Sequence, residues 1–300
     1  MGIINQIMIL LEEICLGQYY FETAVLLRES MFVNGILFNI ESCYGLTKEN
    51  INALETLDRI LLRKILGAHS KTPVEAFYLE LGCIPLDFII KSRRINFLYY
   101  ILTRQKNDLL RNFFEIQSKY PVKNDWFYTV MEDLQDLKIN LSLNDIKEKS
   151  KHSFSKLVKK HVIEASFKYL INLKKKHSKL DSLNYTKLEI QSYLDCKTVY
   201  KKNARKIFKF RTRMAQVKRI CPSQYIPNLK CPDCERQVVD DQDIHDDTQE
   251  HLLYHSKIHE ETNFSQLSTG EVYSKLFNGS NEEKCCVAKL LEEVLIKRSD

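Results

Sequence analysis

Glycine and proline are scarce, at eight and six in 300 residues. That is too few for a turn-rich all-β chain or for a doubly wound fold with Gly-rich loops, so helices are the default expectation. No apolar run approaches the ~20 residues that span a bilayer. The two most apolar stretches are interrupted by Arg28-Glu29 and by Lys91-Ser92-Arg93-Arg94. The N-terminus lacks a basic start and a small-residue cleavage site and carries Glu12 and Glu13, which argues against a secretory leader. Met1-Gly2 has no Ser or Thr at position 6, which argues against myristoylation. The nine cysteines are scattered and odd in number, a usage that fits a reducing compartment better than a disulfide framework. An intracellular chain without a membrane span is therefore expected. There is no Gly-rich phosphate loop, no Gly-x-Ser-x-Gly and no His-Glu-x-x-His.

What is present is a 44% apolar, 10% aromatic chain, enough for a sizeable core. Residues 1–105 read as a run of apolar-rich helices. The first holds Ile3, Ile4, Ile7, Leu10 and Leu11, and a second runs from about Tyr19 to Asn39. Thr47 caps a third, with Ile51, Leu54, Leu57, Leu61 and Ile65 at helical spacing and Gly67 at its end. Thr72-Pro73 opens a short helix closed by Gly82, and Pro85 opens another. Two amphipathic pieces lie between Leu109 and Asn144, split by Tyr120-Pro121 and including Trp126. Asn140–Asp145 reads as a linker. A long basic helix is predicted from about Phe154 to Lys176, with Phe154, Leu157, Val158, Val162, Ala165, Tyr169 and Leu173 inward. Further helices are expected near 187–194, 201–218 and 281–297.

The net charge of +6 hides a strong asymmetry. Between Ile146 and Arg219 there are 22 Lys and Arg against five Asp and Glu, whereas Glu235–Glu261 holds nine acidic against two basic residues. A block of one sign is the footprint expected for a polyanion, with a solvated helical surface as the plainer alternative. Within it, Ile207, Phe210, Met214 and Val217 share one helical face, and Lys202, Lys206, Lys209 and Arg213 form a basic row on another. Long cationic side chains on one rigid ridge suit phosphates. Lys156, Lys159, Lys160 and Lys174–Lys176 extend the sign over the preceding helix.

Cys231-Pro-Asp-Cys234 is followed, after sixteen residues, by His251-Leu-Leu-Tyr-His255. Two thiolates two residues apart wrap one side of a metal, and two imidazoles four apart on a helix complete a tetrahedron. Asp247 with Glu250 resembles the capping box of that helix. Cys231, Cys234, His251 and His255 are thus the candidate ligands of one structural Zn²⁺, with His245 and His259 as competitors.

Four strings carry a resemblance. LLRESMFVNGILFNIESCYGLTKENINALETLDRILLRKILGAHSKTPVEAFYLELGCIPLDFIIKSRRINFLYYIL, then KFRTRM, LKCPDC and DTQEHLLYH, resemble in order the region after the polymerase core of non-LTR (LINE-type) retrotransposon reverse transcriptases. Tyr44-Gly45 and Glu80, Gly82 and Pro85 match short motifs of that region, over roughly residues 3–260. The family's last metal ligand is usually Cys where this chain has His255, and the loop ERQVVDDQDIHDD is longer than its counterpart.

The resemblance implies a mainly α chain: a helical thumb-like bundle (1–105), a basic helical connection (106–220), a zinc knuckle (221–262) and a C-terminal helix (263–300). It also implies RNA or DNA as partner, beside an upstream polymerase region. The Tyr/Phe-x-Asp-Asp hairpin that holds catalytic Mg²⁺ does not occur in these 300 residues, so no catalysis by this stretch alone is expected. Without a palm to cover it, the first helix is expected to leave an apolar patch. Two alternatives stand beside this reading: a zinc-stapled protein–protein adaptor, and part of an active polymerase if a palm precedes.

Overall fold

The structure, a computed structural model, describes residues 2–14, 19–43, 45–181, 183–194, 201–212, 279–280 and 283. Among them the fold is mainly α, as expected, and the extended structure is one isolated bridge. Helix α1 (Gly2–Ile14) packs on α2 (Tyr20–Leu27), which continues through a π-helical turn (Arg28–Val33) into α3 (Asn34–Ile36). Local chemistry sets the next boundaries. The Thr47 hydroxyl accepts from the Asn50 amide to start α4 (Lys48–Leu66), and Gly67 at φ 59° ends it. Then come α5 (Val74–Leu81), α6 (Leu86–Leu102), α7 (Leu109–Lys119) and α8 (Trp126–Asp136). They are followed by α9 (Leu143–Glu148), α10 (Lys151–Lys174) and α11 (Lys201–Arg211).

Two cores result. One collects α1 to α5 and the start of α6 with Leu170, Leu180, Tyr193, Ile207 and Phe210, so residues far apart in sequence close it. The other is built from Ile95 to Val162, around Trp126, Val130, Ile146 and Phe154. Each core draws residues from both sides of residue 105. Helix α10 contributes to both, Phe154, Val158 and Val162 to the second and Leu170 to the first.

Four expectations need correction. Helix α1 is not left uncovered, because Ile4, Ile7 and Leu11 are buried against α2 and α4. Exposed apolar side chains lie in the first forty residues at Ile9, Leu26 and Phe38, and also on α7, where Leu109, Phe113 and Ile116 face outward, with Tyr120 just beyond its end. The stretch 140–145 is not a linker, since Ser142 and Asp145 form a capping box and Ile146 is buried. On α10 the buried row is Phe154, Val158, Val162, Ser166 and Leu170, whereas Tyr169 is exposed and its ring lies tilted against Phe88. A strict four-residue step winds round a helix of 3.6 residues per turn, so the row drifts from one core to the other.

The last correction concerns 187–194, which is not helical. Ile190 forms an antiparallel bridge with Leu81, and the Gln191 amide donates to the Glu80 carbonyl at 2.9 Å. Gly82 makes this approach available: φ is 64°, and a Cβ there would lie 2.6 Å from both Glu189 Cα and Ile190 N. Backbone groups that a helix would satisfy internally are spent across to α5.

Ion pairs fix the helices in register. Arg28 is fully buried and donates from Nε and Nη2 to the two Asp58 oxygens at 2.7 and 2.6 Å, while the Tyr78 hydroxyl donates to the same carboxylate at 3.1 Å. Burial lowers the guanidinium pKa, but Asp58, Cys83 and Tyr78 together hold the pKa above its ordinary value. Arg94 makes the equivalent fork with Asp133 between α6 and α8, at 2.6 and 3.0 Å. There burial prevails over Arg94 and raises the carboxyl pKa. Among the described residues no helix is long and apolar enough to cross a membrane.

Candidate nucleic-acid interface

Helix α10 starts at Ser150, whose hydroxyl accepts from the Ser153 amide. Its buried residues recur every four positions, so the row displaced by two residues, about 200° round the axis, must face away. That row is His152, Lys156, Lys160, Glu164, Lys168 and Asn172, and all six are exposed. Glu164 is the one acid in it, 3.9 Å from Lys160 with both side chains well exposed, a pairing too loose to cancel the row's charge. Lys151 and Lys159, also exposed, flank the row, and Lys175 and Lys176 follow the helix end. The buried side seats in both cores, so the ridge is carried on a fixed scaffold.

Helix α11 uses its charge differently. Of the expected basic row, Lys202 is exposed while Lys206 and Lys209 are half-buried. Burial, then Arg205 and Lys206 nearby, lower the Lys209 pKa. Arg213 lies outside the described residues, as do Met214 and Val217 of the apolar face. Ile207 and Phe210 are buried as expected, and so is Phe208.

The arginines of α11 turn inward. Arg205 donates from Nε and Nη2 to the Ile65 carbonyl at 3.0 and 2.8 Å and from Nη2 to the Lys64 carbonyl at 2.9 Å, capping the C-terminus of α4 beside Gly67. It also reaches the Tyr20 hydroxyl at 3.2 Å, and Lys201 lies 4.0 Å over the Tyr20 ring. Arg211 donates from Nε to Glu80 Oε1 at 3.0 Å. The same carboxylate accepts the Tyr185 and Tyr193 hydroxyls at 2.6 and 2.7 Å. Burial first, then the Glu80 charge, push both phenols well above their ordinary pKa.

Sequence reasoning missed this cluster, although a signal existed. Glu80 stands in a helix whose neighbours Phe77, Tyr78, Leu79 and Leu81 are all apolar, and a charge so placed needs a partner. Arg28 inside an apolar run and Asp58 in the inward stripe of α4 carry the same signal.

The candidate zinc ligands Cys231, Cys234, His251 and His255 lie outside the described residues. No group of three or more His, Cys, Asp or Glu among the described residues is arranged to hold a metal ion. Ser280 and Glu283 exchange hydrogen bonds of 2.7 and 3.2 Å near the start of the expected terminal helix. Comparison of the chain with known protein families, with curated proteins and with solved structures returns no match.

Proposed function

We propose that this chain binds nucleic acid through its phosphates, as the thumb-and-tail portion of a non-LTR reverse transcriptase, without catalysis of its own. The observation that carries the reading is the exposed row Lys156, Lys160 and Lys168, opposite the buried row of α10. Phosphates are closely spaced charges without sequence information, and a pre-ordered ridge of long cations meets them with little ordering cost. Lys202, Lys206 and Lys209 are a second basic row for the same ligand, with Arg213 as its expected continuation. One Zn²⁺ on Cys231, Cys234, His251 and His255 completes the proposal as a structural staple of the knuckle.

The direct test is equilibrium binding of RNA and duplex DNA by the chain and by Lys156→Glu/Lys160→Glu/Lys168→Glu. Each lost phosphate contact contributes both charge and counterion release, so an affinity loss of roughly tenfold or more is expected at physiological salt, similar for both nucleic acids. Unchanged binding by the reversal variant contradicts the proposal. The adaptor reading has its own observation, the outward Leu109, Phe113 and Ile116 of α7 with Tyr120 beyond them. It requires a partner whose binding is insensitive to salt and lost in Phe113→Glu.

A further inference from the structure

Between α3 with the 3-10 turn that follows it (Ile40–Ser42), helix α6 and the start of α10 lies an open groove of ≈ 620 Å³, lined among others by Glu41, Arg93, Asn96, Phe97, Tyr100 and Lys151. Its size is that of a site for one nucleotide or a similar small ligand. Three features bear on what it takes.

The first is an aromatic and cationic stack. Phe97 and Tyr100 lie nearly parallel, with centroids 5.8 Å apart and planes at 15°, and the Arg104 guanidinium sits 4.1 Å over the Tyr100 ring. Tyr100 is 41% exposed, so part of this stack reaches solvent within the groove. Rings and guanidinium planes of this kind hold unstacked bases.

The second is an unmet acceptor. Glu41 Oε2 is buried and has no hydrogen-bond partner among the described residues. The turn that carries Glu41 is pinned, because the Trp126 indole N–H donates to the Glu41 backbone carbonyl at 2.7 Å. A buried carboxylate oxygen without a partner, on a pinned turn, asks for a donor from the ligand.

The third is charge on the rim. Lys151 borders this groove and Lys159, two turns further along the same side of α10, borders the adjoining one, while Arg93 lines both. Glu41 thus lines its groove beside Arg93 and Lys151, and Glu29 lies with Arg93 and Lys159 in the adjoining one, which suits a ligand with a phosphate outside and a donor inside.

We propose that this groove holds one unpaired, amino-bearing base of a single strand, the base against Tyr100 and its exocyclic amino group donating to Glu41. This rests on the nucleic-acid reading above and adds a base to the phosphates of α10. Cytosine, adenine and guanine present such a donor; thymine and uracil present two carbonyl oxygens around a single N–H, which the carboxylate opposes.

The experiment is fluorescence anisotropy of the full chain with labelled 12-mers of oligo(dC), oligo(dT) and a duplex of equal length, with cytidine monophosphate as competitor. Oligo(dC) is expected to bind about tenfold tighter than oligo(dT), the size of one base-edge discrimination. Glu41→Ala should bring that ratio to about one without weakening oligo(dT), since the base-edge acceptor is lost. Tyr100→Ala should weaken both single strands by about fivefold or more and leave the duplex unchanged, because a duplex keeps its bases stacked internally. Circular dichroism verifies that both variants fold. Equal affinity for oligo(dC) and oligo(dT), or a preference that survives Glu41→Ala, overturns the groove while the α10 reading stands. Failure of every oligonucleotide to bind removes both. Competition by the mononucleotide as effective as by oligo(dC) itself overturns the strand as the source of the base.

Discussion

Helices α10 and α11 are both rich in basic residues and both bury one apolar face, yet their charges do different work. On α10 the cations at the centre of the outward face are lysines, and the charged row there is open to solvent. On α11 two arginines are committed to the protein itself, Arg205 to the end of α4 and Arg211 to Glu80. The guanidinium forks between two carbonyls or onto a carboxylate and tolerates desolvation, whereas an ammonium is strongly hydrated and stays in water. The same local charge density therefore marks a free ridge in one case and a clamp in the other. A count of basic residues does not separate the two, and the type of cation does so in part.

The comparison can be broken at its strongest point. Glu80→Ala leaves the Arg211 guanidinium buried beside two phenols without its carboxylate, and removal of one partner from such a pair costs about 3–5 kcal/mol. Denaturant titration should register that loss. A change under about 1 kcal/mol, the range of exposed pairs, would mean that α11 is not clamped through Glu80. Gly82→Ala is next. It forces a side chain into the left-handed region and onto Glu189–Ile190, for an expected cost of about 2–3 kcal/mol in the same titration. Neutral behaviour would show that the bridge to Ile190 does not depend on this close approach.

Arg205→Ala removes a helix C-cap and its contact with Tyr20, with about 1–2 kcal/mol expected from charged hydrogen bonds that are only half-buried. Triple reversal of Lys156, Lys160 and Lys168 should by contrast leave stability within about 0.5 kcal/mol. If the α10 reversal destabilises more than the α11 truncation, the assignment of roles is inverted.

A change of pH has the smallest effect near neutrality. Burial pushes the Cys83 thiol up to about 12, with Arg28 pulling the other way, and it raises the phenols of Tyr78, Tyr185 and Tyr193. The folded chain thus keeps these protons to higher pH than the unfolded chain. Their contribution is complete below about pH 8, where unfolded thiols are still protonated, and is lost as pH climbs from about 9 through about 12. A denaturation midpoint that is flat from pH 7 to 11 would contradict the buried environment of these groups.

The parts of the fold that the sequence made legible are those set within one helical turn. Thr47, Gly67, Pro73, Gly82 and Pro85 mark helix ends because a cap or a fixed φ acts on its immediate neighbours. The parts that were not legible depend on distant residues. Glu80 meets Arg211 from 131 positions away, and Ile190 is drawn out of a helix by Leu81. The amphipathic reading of 187–194 is locally sound and is overridden by that tertiary bridge. Of the candidate site, the sign and extent of the basic block were legible. Which of its cations face solvent was not, because the burial of α10 follows a row that winds between two cores.

The central claim is that nucleic acid is held by phosphate contacts along α10. It is tested most directly by the salt dependence of duplex DNA binding for the parent chain and for Lys156→Glu/Lys160→Glu/Lys168→Glu. Three lost phosphate contacts should make the slope of log affinity against log salt shallower by about 2.7, at 0.9 per phosphate. Slopes that coincide would contradict the account, whatever the two affinities are.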